Sequence, residues 1–544
     1  MLKTKTKNTL SSFTDILALI KFWQKNLTNS VRTQETFRVY RDPATYEVTV
    51  DSDLTLENYR RETPVLDWEL LLKWAKDMSG KSVVFINPTM EGGGVAMMRP
   101  PLILLLNMLG VEAHWYVMGG RTNLNEPNPF LFTKQMHNIL QRRSAPSERI
   151  DDAGKLIHQK WNKENTEILM VQQAIINADI VVLDDPQPAP LKRYIEKVNP
   201  NAKLIWRSHI DTSFELMADK SSPQGEIASY LMDECGLRDV DAVVNHPVKE
   251  FIYPGMYDKT FFVPATADPF DDLNRVLSKK EIKNGINFIN REITNQNKMF
   301  ASDGRLNDIQ SELDTKRRRI VLIARFDESK GMDKAMALGV ETRQSMINTG
   351  MSKSKLPQIV IVGNGSVDDP SGMPIYEKML QIRREKYPND KNDIIIMRLS
   401  HNYEAINALM SPSPGGDAQM VALQTSEAEG LETRVSDWIR HGIPVVISNR
   451  GGLSLQVVDG KSGIVLDFDK PNFDIDRGAS FISELMMDSE KYTSMSNSTM
   501  ELAKSYNNRE FTTTANATRL LRLFCMVLAD KKADKVWNIS EISA

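Results

Sequence analysis

Cysteine is almost missing from this chain: Cys235 and Cys525 are the two thiols in 544 residues. Two residues so far apart cannot build the disulfide framework of a secreted domain, and they lack the paired spacing of a zinc site. The composition therefore points to a reducing compartment, the cytoplasm. An excess of charge of one sign is also lacking, since 68 Lys and Arg face 71 Asp and Glu. That balance excludes a global field drawing the chain to nucleic acid or to an anionic membrane, so any phosphate recognition has to be local. Long hydrophobic runs are missing too. The longest uncharged apolar stretch, Pro100 to Val111, is about a dozen residues where a spanning helix needs about 20. Met1 to Trp23 mixes lysines with an apolar patch in the manner of a signal peptide, but Asp15 interrupts the patch and no small-residue cleavage site follows, so it reads as a soluble extension. No repeat, low-complexity tract or clustered His and Asp in metal-ligand spacing appears, so no metal site is expected.

What is present is the grammar of an α/β protein. Short β-branched runs recur, each followed by a loop and a helical pattern, at Ser82 to Asn87, Glu112 to Val117, Asp179 to Leu183, Lys203 to Trp206 and Ala242 to Asn245. The pattern resumes after Arg319, at Ile320 to Ala324, Gln358 to Val362, Ile394 to Arg398, Met420 to Leu423 and Pro444 to Ser448. Such alternation predicts parallel, helix-covered sheets, here two doubly wound domains in tandem. Their expected extents are 71–283 and 317–508, after an N-terminal extension over 1–70. The polar stretch 284–316, rich in Asn, Asp, Lys and Arg, reads as a solvated insertion between them.

Ligands of open parallel sheets gather beyond the carboxyl ends of the strands, so the loops there hold the candidates. Glu91-Gly92-Gly93-Gly94-Val95 follows the first strand and opens an apolar helix. Gly93 and Gly94 would let backbone N–H groups at a helix N-terminus approach an anion or a sugar hydroxyl; a tight turn with close helix packing is the alternative. Asp185 and Gln187 follow a second strand. Arg207 and His209 follow a third, as a phosphate clamp and a partner for a sugar hydroxyl, or as a structural pair near a capping Asp211. In the second domain Arg325 and Lys330 lie just beyond the first strand, where two cations would neutralise a phosphate or diphosphate as charge develops on it. Ordinary surface charge is the alternative. Glu429 and Asp437 stand eight positions apart, able to face one ligand two helical turns apart or to serve as dipole match and solvated face. Gly451, Gly452 and Leu453 offer further backbone N–H groups.

From Gly92 through Phe511 this series of motifs resembles the fungal-type trehalose phosphorylases and the trehalose synthases that use nucleotide-activated glucose. Among the matching segments are Arg207-Ser208-His209-Ile210, Arg325-Phe326-Asp327 with Lys330-Gly331, Asn407-Ala408-Leu409-Met410, Glu429-Gly430 and Gly451-Gly452-Leu453. Both groups are retaining glycosyltransferases of the GT-B type (glycosyltransferase family 4), two Rossmann-like domains facing a central cleft. The resemblance implies a last segment, 509–544, crossing back as a helix to the first domain. It implies retaining glucosyl transfer without cofactor: Arg325 and Lys330 hold the leaving phosphate or nucleotide diphosphate, with Gly451 and Gly452 nearby, and Glu429 bonds the donor glucose. Asp437 stands where the family's second acid holds the nucleotide ribose, one methylene shorter than the usual glutamate. The implied partners are a sugar with phosphate or a nucleotide-sugar; nucleic acid and membrane are excluded, and a homodimer is left open. Trehalose phosphorolysis is the favoured reaction, synthesis from a nucleotide-glucose donor the second, and a non-catalytic sugar or nucleotide sensor the third.

Overall fold

The computed structural model describes residues 31–542 apart from 34–35, 91–92, 121–126, 364–371, 400–401 and 412–418. The Met1 to Trp23 segment therefore lies outside the described residues, as do Glu91 and Gly92 of the glycine motif. Strands β1 (Val31–Thr33), β2 (Arg38–Arg41) and β3 (Val48–Asp51) form a small antiparallel sheet. Six strands follow in the first large sheet: β4 (Ser82–Asn87), β5 (Glu112–Val117), β6 (Ile180–Asp184), β7 (Lys203–Arg207), β8 (Ala242–Asn245) and β9 (Thr260–Phe262). The second large sheet holds β10 (Arg319–Ile323), β11 (Gln358–Gly363), β12 (Ile394–Arg398), β13 (Met420–Gln424), β14 (Val445–Ser448) and β15 (Gly463–Leu466).

Every neighbouring pair in both large sheets is parallel. The orders are β5-β4-β6-β7-β8-β9 and β12-β11-β10-β13-β14-β15. Near-continuous apolar strands are what a sheet covered on both faces requires. In β4, Val84 and Ile86 enter one core while Val83 and Phe85 enter the other. Strand order reverses between β4 and β6 and again between β10 and β13, which opens a crevice at each sheet's carboxyl edge.

The stretch read as a solvated insertion is built differently. Lys279–Ser302 is a helix, started by a capping box in which the Ser278 N–H donates to Glu281 and the Glu281 N–H donates to the Ser278 hydroxyl. Ile282, Ile289, Ile293 and Phe300 form its buried stripe, and an added Cβ on Gly285 would come within 2.4 Å of Ala408. The polar face conceals that stripe when composition is averaged along the chain. Downstream, Gln310 is buried, donating to the Ile396 carbonyl and accepting from the Ile396 N–H. Part of the N-terminal extension likewise belongs to a core: Phe37, Val39, Val48, Tyr59, Trp68 and Leu71 pack with the first sheet.

The last helix, Thr513–Leu528, lies against the helices Val65–Asp77 and Gly94–Met108, adding Ala517, Leu520, Leu521, Phe524 and Val527 to the first domain's core. The chain crosses back beside its outward crossing, where the Ala267 N–H donates to the Phe511 carbonyl at 3.0 Å. Among the described residues no helix is long and apolar enough to cross a membrane.

A buried ion pair fastens this last helix. Arg519 meets Glu510 at 2.5 Å with both side chains under 4 % exposed, and the Ile539 N–H also donates to Glu510 at 3.0 Å. Arg519→Ala should strand the Glu510 charge and cost about 3–5 kcal/mol, whereas Arg519→Met should cost less by supplying apolar volume. Thermal unfolding of the two variants checks the ranking.

Candidate active site

The site lies between the two crevices. From the first sheet, Asn87, Gly93 and Gly94 after β4, Asp185 and Gln187 after β6, His209 after β7 and His246 after β8 line one wall. Arg325, Asp327, Ser329 and Lys330 after β10 and Glu429 to Arg434 after β13 line the other. Thus the strands flanking each reversal point their loops into one cleft.

Gly93 caps the Gly94–Met108 helix, whose first turn borders the cleft. A Cβ at Gly93 or Gly94 would meet nothing within 4 Å among the described residues. Close helix packing is therefore not what calls for glycine here; the bare backbone leaves the positive end of the helix open to the cleft. Asn87, Gln187 and His246 add buried polar atoms with no hydrogen-bond partner among the described residues, the kind of group that a hydroxyl-rich ligand satisfies.

Asp185 is held in the left-handed region, φ 66°. Its N–H donates to the Arg207 carbonyl at 2.7 Å, its own carbonyl accepts from the Trp206 indole at 2.9 Å, and its carboxylate accepts from the His209 N–H at 3.0 Å. These contacts overdetermine a conformation that a non-glycine residue would otherwise avoid. The His209 ring meets the buried Asp184 at 3.1 Å, and Asp184 also pairs with Arg99 at 2.5 Å. Burial first, then the neighbouring His209 and Arg207, push the His246 imidazolium well below the ordinary range, so His246 is neutral.

Lys330 anchors the opposite wall. Its Nζ lies 2.5 Å from Glu429 and 2.8 Å from Glu432, and its side chain is 8 % exposed. Burial disfavours the ammonium, but the two carboxylates outweigh it and hold Lys330 above the ordinary lysine value. Glu429 moves upward because burial and the nearby Glu432 charge outweigh Lys330, whereas Glu432 moves downward because Lys330 outweighs its burial. Ser426 donates to Glu429 at 3.1 Å. Gly331 sets the turn: its φ is 58° and a Cβ would fall 2.0 Å from the Thr425 carbonyl oxygen, so the Lys330 loop presses on the end of the β13 loop.

The two walls touch through polar contacts. Lys134 pairs with Asp327 at 2.6 Å, Arg143 pairs with Glu427, and the Glu429 N–H donates to Asp211 at 3.0 Å. Asp327 is held well below the usual carboxylate range, burial opposing but Lys134 and Arg325 prevailing. A Cβ on Gly430 would fall 2.3 Å from the His209 carbonyl oxygen and 2.8 Å from the His246 ring.

Gly93, Gly94, Asp185, Gln187, His209, Arg325, Lys330 and Glu429 thus come together. Five other candidates do not line the cleft. Arg207 is buried beneath it, its guanidinium drawn down to about 10 by loss of solvent despite Asp184, so it is no open phosphate clamp. Asp437 is 1 % exposed and accepts from Asn274 at 2.8 Å and Arg434 at 2.6 Å, which spends both oxygens inside the protein. The Gly452 N–H donates to the Gly430 carbonyl at 2.9 Å, and Leu453 is core. A Cβ on Gly451, φ 53°, would fall 1.6 Å from the Glu429 carbonyl oxygen; this loop props Glu429 rather than presenting donors. Lys134, Asp327 and Glu432 were not assigned roles in advance. Glu432 carried a faint signal, a third acid within six residues of Glu427.

Residues 85–253 match the family described as trehalose synthase, N-terminal domain. Trehalose phosphorylase of Pleurotus pulmonarius is 31% identical over 88% of this chain, which spans 61% of that protein's length. The trehalose synthase of Thermococcus litoralis is 29% identical over 76% of this chain and 84% of its own. The fold resembles an α,α-trehalose-phosphate synthase from Burkholderia xenovorans, with TM-score 0.54, 12% identity and coverage of 82% and 100% of the two chains. Sucrose-phosphate synthase of Thermosynechococcus elongatus gives 0.51 at 13% identity, covering 82% and 99%. This chain has the GT-B fold and is similar in sequence to the trehalose phosphorylases and trehalose synthases. Gly430 lies where the Glu429 loop passes directly against the first domain's His209 and His246. Gly430→Ala should force His209 and the Glu429 loop apart, costing about 1–3 kcal/mol by overpacking; a fall in Tm together with altered accessibility of the cleft to limited proteolysis checks it.

Proposed function

We propose that this protein is an enzyme of retaining α-glucosyl transfer with trehalose-phosphorylase-like chemistry, interconverting trehalose plus phosphate with glucose plus α-glucose 1-phosphate. The observation that carries the reading is the meeting of Arg325 and Lys330 beside Glu429 at the β10/β13 reversal, opposite the Gly93–Gly94 helix N-terminus. Charge developing on a leaving phosphate is the main electrostatic demand of the reaction, and fixed cations in a water-poor cleft answer it without reorganisation. Glu429, held by Lys330 and Ser426, orients donor hydroxyls. Asp185, Gln187, His209 and His246 supply the polar wall for the acceptor sugar. The longer match to the phosphorylases, 88% against 76% of the chain, favours phosphate over a nucleotide diphosphate.

Synthesis of trehalose from a nucleotide-glucose donor is the second reading, motivated by the match to the synthases. Asp437 does not favour it, because a ribose would have to displace Asn274 and Arg434. Incubation with trehalose and phosphate, and separately with UDP- or ADP-glucose and glucose, separates the two.

Arg325→Ala or Lys330→Ala should each remove about 3 kcal/mol of transition-state stabilisation, at least a hundredfold in turnover. Near-normal rates in both variants would remove these cations from the site. Retention without a protein nucleophile predicts that the glucose 1-phosphate formed from trehalose and phosphate is the α-anomer by proton NMR. It also predicts no glucosyl adduct by intact mass, and an inactive Glu429→Gln that azide does not rescue. A β-product observed first overturns retention.

A further inference from the structure

The reading above gives Lys330 to the leaving anion, yet in the structure that ammonium is already taken. Glu429 and Glu432 both lie on it, at 2.5 and 2.8 Å. The two acids differ in what holds them. Glu429 is fixed by Ser426 and through its own N–H by Asp211, and its loop is wedged between Gly451 and the His209 carbonyl. Glu432 is more open, 17 % exposed along its side chain and facing the cleft, with its second oxygen accepting from the Arg434 N–H at 3.2 Å as the cap of the Thr433–Arg440 helix.

Charge makes the consequence concrete. Arg325, Lys330 and Arg434 contribute three positive charges to this wall, and Asp327, Glu429 and Glu432 contribute three negative ones. A phosphate dianion meets a wall with no net charge and finds a carboxylate on the ammonium it needs. The helix cap supplies a retreat, since Glu432 can leave Lys330 while keeping the Arg434 N–H. We propose that Glu432 is an internal competitor for the anion site: the leaving group binds by taking Glu432's place on Lys330, and Glu432 thereby sets how strongly, and for how highly charged an anion, the site binds. Glu432 acts through Lys330 and is a positioning and specificity-determining residue. The proposal rests on the assignment of Arg325 and Lys330 to the anion.

The test is calorimetric binding of inorganic phosphate and of UDP to the full chain. It compares the unaltered protein with Glu432→Gln, Glu432→Ser and Arg325→Ala. Serine keeps a helix-capping oxygen without the carboxylate, so a Tm close to that of the parent shows that the helix start is intact. Both Glu432 variants should bind phosphate at least tenfold more tightly, with glucose affinity within twofold; a merely structural role would not produce a gain. Phosphate affinity unchanged or weakened in both Glu432 variants overturns the proposal, and if Arg325→Ala still abolishes phosphate binding the underlying assignment stands. If no variant binds either anion, or Arg325→Ala binds as tightly as the parent, the assignment falls and the proposal with it.

Discussion

A buried ammonium has to be compensated, and the second domain's half of the site is organised around that need. Lys330 is brought under the cleft floor by a turn that Gly331 makes possible, and once there it fixes what the β13 loop must carry. Glu429 reaches it only because Gly430 and Gly451 let the backbone pass where side chains would collide with His209 and with Glu429 itself. Charge, turn geometry and glycine placement are one problem solved together. Removing a charge from such a set leaves the others uncompensated in a low-dielectric setting, which is why these positions couple rather than add.

The two walls are joined by ion pairs and hydrogen bonds, and by an apolar cluster in which Met98 and Ala265 meet Leu431 and Phe511. Lys134 with Asp327, Arg143 with Glu427, and Asp211 with the Glu429 N–H are the polar contacts that span the cleft. Beneath the cleft the connection is firmer. Asn407 donates to the carbonyls of Asp272 and Arg275, tying the outward crossing to the second domain.

Much of the fold was legible because parallel strands covered on both faces are written as apolar runs, and ten of the twelve strands in the large sheets announce themselves that way. The remaining two, β9 and β15, each at one edge of its sheet, are only three and four residues long, too short to stand out as a run. The Lys279–Ser302 helix was missed because its apolar stripe is diluted by a strongly polar face. At the site, position after a strand was informative: Asp185, His209, Arg325 and Lys330 all reach the cleft. Depth was not legible. Arg207 ends β7 and Asp437 lies in the Thr433–Arg440 helix, and both turn into the protein, where Asp437 pairs with Arg434. Contacts between domains, such as Lys134 with Asp327, join residues 193 apart and leave no local trace.

The return of the chain has a consequence for how the molecule comes into being. Domains made during synthesis usually complete themselves in order, amino-terminal first. Here the first domain's hydrophobic interior is filled in part by Ala517, Leu520, Leu521, Phe524 and Val527, which follow the whole second sheet in the sequence. The second domain, enclosed between the crossings, has every strand of its large sheet before that point. The first domain's interior is therefore complete only with residues that lie beyond the second domain in the sequence.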